Sequence, residues 1–200
     1  MNKFASDNTK PTANEKMGPI NEAVKNMQLK TDEKVKLQSF IDAHGVSAKL
    51  IEKGSSEATM MAHELLKSQG YDVKPDQMIK ALVCIPLEGK EFLKDKAILA
   101  MVSGPSKLDL KRLAAIFGHE RIIIADQQTA ESLSGYPRGG TPPIGHETKL
   151  RVVMDSVLFG QEMLYGGGGE TTKIIQITPT EIKRALEAEG EEFRVADIRQ

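Results

Sequence analysis

The chain has 200 residues and 21.9 kDa, with 27 Lys+Arg against 28 Asp+Glu for a formal net charge of −1, 40% hydrophobic residues and 4% aromatic ones without Trp. At roughly 150 residues per domain this is one domain with an extension; near-neutrality excludes a histone-like polybasic binder and an acidic solvating tail alike, and so few aromatics argue against a stacking platform for single strands. The single Cys84 allows no internal disulfide, no apolar run nears the roughly 18 residues of a membrane span, and MNKFASDNTK lacks a signal peptide's apolar region, so a cytoplasmic globular protein with no membrane association is expected.

Residues 1–30 are polar, carry Pro11, Gly18 and Pro19, and read as a loosely ordered N-terminal extension. From Thr31 the spacing of Leu37, Phe40, Ile41 and His44 predicts a helix stopped by Gly45, and VSAKLIE (46–52) predicts a strand. A second helix is expected from Ser55 or Ser56 to Gly70, with Ala58, Met61, Ala62 and Leu65 as its apolar stripe. Residues 78–86 (MIKALVCIP) and 96–104 (KAILAMVSG) read as strands. Ser106 with Asp109 gives a capping-box-like start to a helix presenting Leu110, Leu113, Ala114 and Phe117 and closed by Gly118.

RIIIA (121–125) reads as a short buried strand, followed by a helical turn through Leu133. GYPRGGTPPIGH (135–146) must be loop, because adjacent prolines and repeated glycines defeat helix and sheet alike. Strands are expected at 149–155, 157–165 and 173–178, and Thr178, Pro179 and Glu181 start a last helix. The domain proper is placed at 31–190, with 191–200 as a C-terminal tail. More strands than a βαβ alternation would supply predict a single α/β (α+β) domain, with a mixed, partly antiparallel sheet and flanking helices.

Charge is unevenly spread: residues 80–151 hold 11 Lys/Arg and 8 Asp/Glu, a local +3, which suits an anionic ligand gripped at a few points. Gly166 to Gly169 fails the Walker pattern and leads into a strand, so ATP use is unsupported. Four glycines there mark a bulge, a flexible hairpin loop, or backbone lying close to a ligand or another segment. In the 135–146 loop, Gly139 and Gly140 permit close main-chain approach while Pro142 and Pro143 stiffen the next stretch of chain. That combination is either structural or a preorganised donor site for a carbonyl. Lys80 shares a strand face with Leu82 and Cys84, so it is a solvated edge lysine, snorkels, or serves a pocket. The four histidines lack metal-site spacing, no nucleophile motif is present, and neither a metal nor a cofactor is expected. His44 reads as core-facing, and His146 lies inside the candidate loop.

Taken in order, Lys80 within QMIKALV, then GYPRGGTPPIGH, then LYGGGG resemble the YbaK-type trans-editing aminoacyl-tRNA deacylases, relatives of the bacterial prolyl-tRNA synthetase editing domain. The family's G-Y-x-x-G-G-x-S-P-x-G lies ungapped over Gly135, Tyr136, Gly139, Gly140, Pro143 and Gly145, and the resemblance spans about residues 45–188. It implies a barrel-like mixed sheet and hydrolysis of mischarged aminoacyl-tRNA, with the tRNA(Pro) group favoured. It makes Lys80 the essential lysine near the scissile ester, with Gly139, Gly140, Thr141 and Gly145 lining the carbonyl side, Gly167 and Gly168 closing the pocket, and Pro143 and His146 counted with them as substrate-binding. The implied partners are the 3′ end of aminoacyl-tRNA and an aminoacyl-tRNA synthetase. Two positions depart: Pro142 stands where the family has Ser, and the serine that precedes the glycine run in cysteinyl-tRNA(Pro) deacylases falls nearest Tyr165. Those departures motivate a rival, a non-catalytic module that binds aminoacyl-tRNA or a synthetase through the same pocket.

Overall fold

The computed structural model describes residues 36–54 and 59–200; the expected 1–30 extension and the start of the second helix at Ser55 or Ser56 lie outside the described residues. Helix α1 covers residues 36–43, burying Leu37 and Ile41 one turn apart, and the chain reverses at Gly45 with φ +54°. Then follow β1 (Ala48–Glu52), α2 (Thr59–Ser68), β2 (Ile79–Glu88), β3 (Glu91–Phe92), β4 (Ile98–Ser103), α3 (Leu110–Phe117), β5 (Arg121–Ile124) and α4 (Gln127–Ser134). The chain ends through β6 (Arg151–Asp155), α5 (Ser156–Phe159), β7 (Leu164–Gly167), β8 (Lys173–Ile177), α6 (Pro179–Ala188) and β9 (Phe193–Ala196). Residues Glu33–Gln200 cluster as one compact unit.

The strands form a mixed, partly antiparallel system with helices around it, as the strand count predicts. They lie in two sheets, however, and among the described residues no closed barrel forms. One sheet is antiparallel, in the order β1–β8–β7; the other runs β3–β2–β4–β6–β9, with β5 also paired to β2. In the larger sheet β4–β6 and β6–β9 are parallel while β2 is antiparallel to β4 and β5. A parallel bridge between Met78 and Tyr165 joins the two sheets at the start of β2.

Strand alternation sorts the core. Leu99 and Met101 face inward with Val152, Met154, Leu164 and Ile175, between the sheets. Ile98, Ala100 and Val102 face the other way and are covered by Leu113 and Ala114 of α3. Ile51, Tyr165 and Ile174, on the outer face of the small sheet, pack with Ala62 and Leu66 of α2. In α2 the inward pair is therefore Ala62 and Leu66, and Leu65 is only half-buried.

Several sequence expectations need correction. Residues 157–165 are not one strand: the Asp155 carboxylate accepts from the Val157 amide at 2.9 Å, which starts α5 and delays β7 to Leu164. Asp109, not Ser106, caps α3, accepting from Lys111 and Arg112 amides. The 121–125 strand is an edge, with Ile122 buried and Ile124 48% exposed. His44 is half-buried, tilted against Phe40 and paired with Glu189 at 3.2 Å. The 191–200 tail is structural: β9 pairs with β6, Ile198 is buried, and the Ile198 amide donates to Asp155 at 3.1 Å. A four-residue strand reading FRVA carries too little hydrophobic pattern to be seen in advance.

Candidate functional site

The Met78–Tyr165 bridge fixes where β2 meets the glycine strand. One residue on, Ile79 lies against Gly166, where a Cβ would stand 3.4 Å from the Ile79 Cβ. One further step in the same parallel register sets Lys80 level with Gly167, on the face shared by Met78 and Tyr165. Lys80 is half-buried, and its ammonium donates to the Ser106 carbonyl. Partial burial pushes the Lys80 ammonium below the usual lysine value. Ser106 closes a turn in which its amide donates to the Ser103 carbonyl at 3.0 Å and its hydroxyl meets Ser103 Oγ at 2.7 Å. That turn sits close over β2, since a Cβ on Gly104 would be 3.2 Å from the Met78 Cβ.

On the other side, the two glycine segments interlock through backbone. A Cβ on Gly167 would lie 2.3 Å from the Thr141 carbonyl oxygen and 2.7 Å from Gly140. The Gly169 amide donates to the Gly140 carbonyl at 2.8 Å, and a Cβ on Gly140 would meet Glu170 backbone at 2.9 Å. Neither contact leaves room for a side chain, which is the physical reason for glycine at 140 and 167. Pro143 lies against the other face of the same strand, 3.5 Å from the Gly166 Cβ position.

The loop is braced from within. Tyr136 Oη donates to the Gly145 carbonyl at 2.7 Å, and burial pushes the Tyr136 phenol beyond its ordinary range. Gly145, at φ +74°, presses on Phe40 of α1, where a Cβ would come within 3.0 Å of the ring. His146 is wholly buried at its side chain, with Nε2 2.9 Å from the Pro142 carbonyl.

Lys80, Ser106, Thr141 and Gly167 are each half-buried, while Met78, Gly140, Pro142, Pro143, Tyr165 and Gly168 around them are buried. The candidate residues thus divide in three. Gly140, Thr141 and Gly167 pack backbone to backbone, and the strand register sets Lys80 level with Gly167. Gly145 and His146 face inward and brace the loop, and Gly139 is exposed at φ +86° with open space around it. The amides expected to hold a substrate carbonyl are partly committed already. Gly140 donates to Pro137 at 2.9 Å and Gly168 to Lys173 at 3.0 Å, so neither is a free donor. A surface depression of about 210 Å³ at the start of the loop is lined by Glu131, Gly135, Tyr136 and Pro137 and does not include Lys80.

Sequence reasoning missed Ser106 as the partner of Lys80, having read it as a helix cap. It also missed Lys173, whose ammonium lies 3.3 Å from Glu170 and 3.4 Å from Glu52 beside the glycine run. A lysine following four glycines and an acid was the available signal. Among the described residues, no group of three or more His, Cys, Asp or Glu could hold a metal ion, and no helix is long and apolar enough to cross a membrane.

Comparison with known proteins adds to this geometry. The family model described as an aminoacyl-tRNA editing domain matches residues 56–185. The candidate Cys-tRNA(Pro)/Cys-tRNA(Cys) deacylase EbsC of Enterococcus faecalis is 26% identical over 153 residues, covering 76% of this chain and 88% of that protein. The multifunctional Ser/Thr-tRNA deacylase ProXp-y of Escherichia coli is 32% identical over 83 residues, covering 42% of this chain and only 48% of that protein. A crystal structure of a candidate trans-editing enzyme for prolyl-tRNA synthetase superposes with a TM-score of 0.68 at 28% identity, covering 84% of this chain and 97% of that one.

Proposed function

Since the chain belongs to the aminoacyl-tRNA editing domain family, we propose that it is a trans-acting hydrolase that removes the amino acid from mischarged aminoacyl-tRNA, within the tRNA(Pro) group. The observation that supports this reading is the Met78–Tyr165 bridge, whose register sets Lys80 level with Gly167, together with the close packing of Gly167 on the Gly140–Thr141 backbone.

An aminoacyl ester is already activated, so positioning and electrostatics suffice without a protein nucleophile. In the proposed reaction the Lys80 ammonium leaves the Ser106 carbonyl for the ester. Water adds to the ester carbon, and the negative charge on the carbonyl oxygen is met by the ammonium and by the Thr141 amide. Collapse breaks the bond to the ribose oxygen, which takes up a proton, and free amino acid and tRNA depart. Thr141, Pro143 and Gly167 shape the pocket, while Gly140, Gly145, His146 and Gly168 hold the backbone that forms it. The reaction draws on this chain's residues, with the 3′ end of the tRNA as ligand and a synthetase as the source of the mischarged substrate. The relatives' names carry cysteine, serine and threonine, so small aminoacyl groups head the substrate panel.

The test measures ester hydrolysis on tRNA(Pro) charged with Ala, Ser, Thr or Cys, for wild type and Lys80→Ala. Loss of about 100-fold or more in kcat/KM on removing the ammonium is expected; equal rates, or no hydrolysis by either protein, refute the catalytic reading. The second reading, a binding module, is favoured by the engagement of Lys80 with Ser106 and the committed amides of Gly140 and Gly168. It requires aminoacyl-tRNA binding without turnover, indifferent to Lys80→Ala.

A further inference from the structure

His146 ends the glycine–proline loop, and Glu191 lies between α6 and β9. Both side chains are almost wholly withdrawn from solvent, at 0% and 5% exposure. The Pro142 carbonyl, 2.9 Å from Nε2, can only accept, so Nε2 carries the ring proton. A neutral ring then presents a bare lone pair at Nδ1, and Nδ1 has no hydrogen-bond partner. Facing it at 4.0 Å is Glu191 Oε2, which also accepts from the Leu150 amide at 3.4 Å. Two acceptors facing each other among buried side chains repel, and a proton bound by either of them removes the mismatch.

We propose that Glu191 is a positioning residue for the site loop: it shares one proton with His146, and that proton fixes the Pro142 carbonyl and the Gly140–Thr141 backbone beside it. Its bearing on turnover rests on the deacylase reading, whereas its bearing on the loop does not. Burial pushes His146 down to about 4 and Glu191 up to about 7, which keeps the proton on the carboxyl in the mildly acid range and releases it around neutrality. The charged groups nearby are Lys36, whose ammonium binds Glu147 and opposes charge on His146, and Glu189 and Lys149. The last two respectively raise and lower the proton affinity of Glu191.

The full chain with Glu191→Gln and His146→Gln tests the idea. In the unfolded chain the glutamate loses its proton near pH 4.3 and the histidine near pH 6.5. Folding reverses that order, but folded and unfolded pairs both hold one proton between about pH 4.5 and 6.5, so the pair gives the wild type no slope there. Glu191→Gln leaves a histidine with depressed affinity: the unfolded state binds the extra proton, and stability rises with pH across that window. His146→Gln leaves a glutamate with raised affinity: the folded state binds the extra proton, and stability falls as pH rises. Between pH 4.5 and 6.5 the unfolding constants of the two variants, each relative to wild type, should move in opposite directions by about tenfold or more.

NMR supplies the loop readout. The His146 ring and the Thr141 amide should titrate with one midpoint near neutrality in wild type, and lose it together in Glu191→Gln. Slopes of the same sign in both variants, or a Thr141 amide indifferent to pH while His146 titrates, overturn the proposal. With mischarged tRNA at pH 6, Glu191→Ala should lower kcat by about tenfold or more, and Glu191→Gln should restore it; equal loss in both also overturns the positioning role. A wild type that hydrolyses nothing refutes the deacylase reading alone, because slopes and shifts still decide the pair.

Discussion

Gly167→Ala is the most telling single perturbation of the site. The added methyl would begin 2.3 Å from the Thr141 carbonyl oxygen and 2.7 Å from Gly140, and every one of those atoms is backbone. No side chain can swing aside, so either β7 shifts or the Gly140–Pro143 loop does. Overpacking of this kind costs about 3 kcal/mol at the upper end of its range, or roughly a 100-fold fall in the folded-to-unfolded ratio. Gly139→Ala is the internal control: its Cβ enters open space, but at φ +86° it carries a left-handed penalty of about 1–2 kcal/mol. Urea unfolding of both variants, followed by hydrolysis of mischarged tRNA under conditions where each is folded, separates sterics from strain. Gly167→Ala should be less stable than Gly139→Ala and also inactive when folded, because Thr141 is displaced. A folded Gly167→Ala that turns over substrate at the wild-type rate would show that the interlock does not shape the site.

Other predictions test the frame. Leu113→Ala, at the centre of the α3 face, should cost about 2–5 kcal/mol by chemical denaturation and leave hydrolysis by the folded protein unchanged. Asp155→Ala removes a fully buried carboxylate that accepts from Val157 and Ile198 amides and lies 3.1 Å from Arg199 Nε. A loss of about 3–5 kcal/mol is expected from the same measurement. Cys84 is buried and its thiol is pushed up to about 12, so a thiol reagent at pH 8 should label it only in denaturant.

The parts of the fold legible in the sequence were those with a strong local period. Ile98 to Ser103 alternates between two cores, the helix at Pro179 starts where Thr178 announces it, and the helix at Leu110 stops at Gly118 as expected. What escaped were decisions made by single polar atoms, such as Asp155 halting a strand, and pairings such as β9 on β6 that no local pattern encodes. The site shows the same division. The glycines at 140 and 167 were visible as motifs, but their mutual contact depends on two segments more than twenty residues apart meeting edge to edge. Ser106 and Glu191 act through a carbonyl and a buried carboxylate, and neither kind of contact leaves a spacing to read.

The small sheet has a consequence for the birth of the protein. Among the described residues strand β1 pairs only with β8, and its register sets Ala48 against Ile177. At a synthesis rate of about 5–20 residues per second, roughly 6 to 25 seconds pass between the emergence of β1 and that of its partner. Throughout that interval Leu50 and Ile51 have no strand to lie against, and the edge they form is open to any other nascent chain. Slower synthesis over residues 53–172 therefore lengthens the time for which that edge stays open.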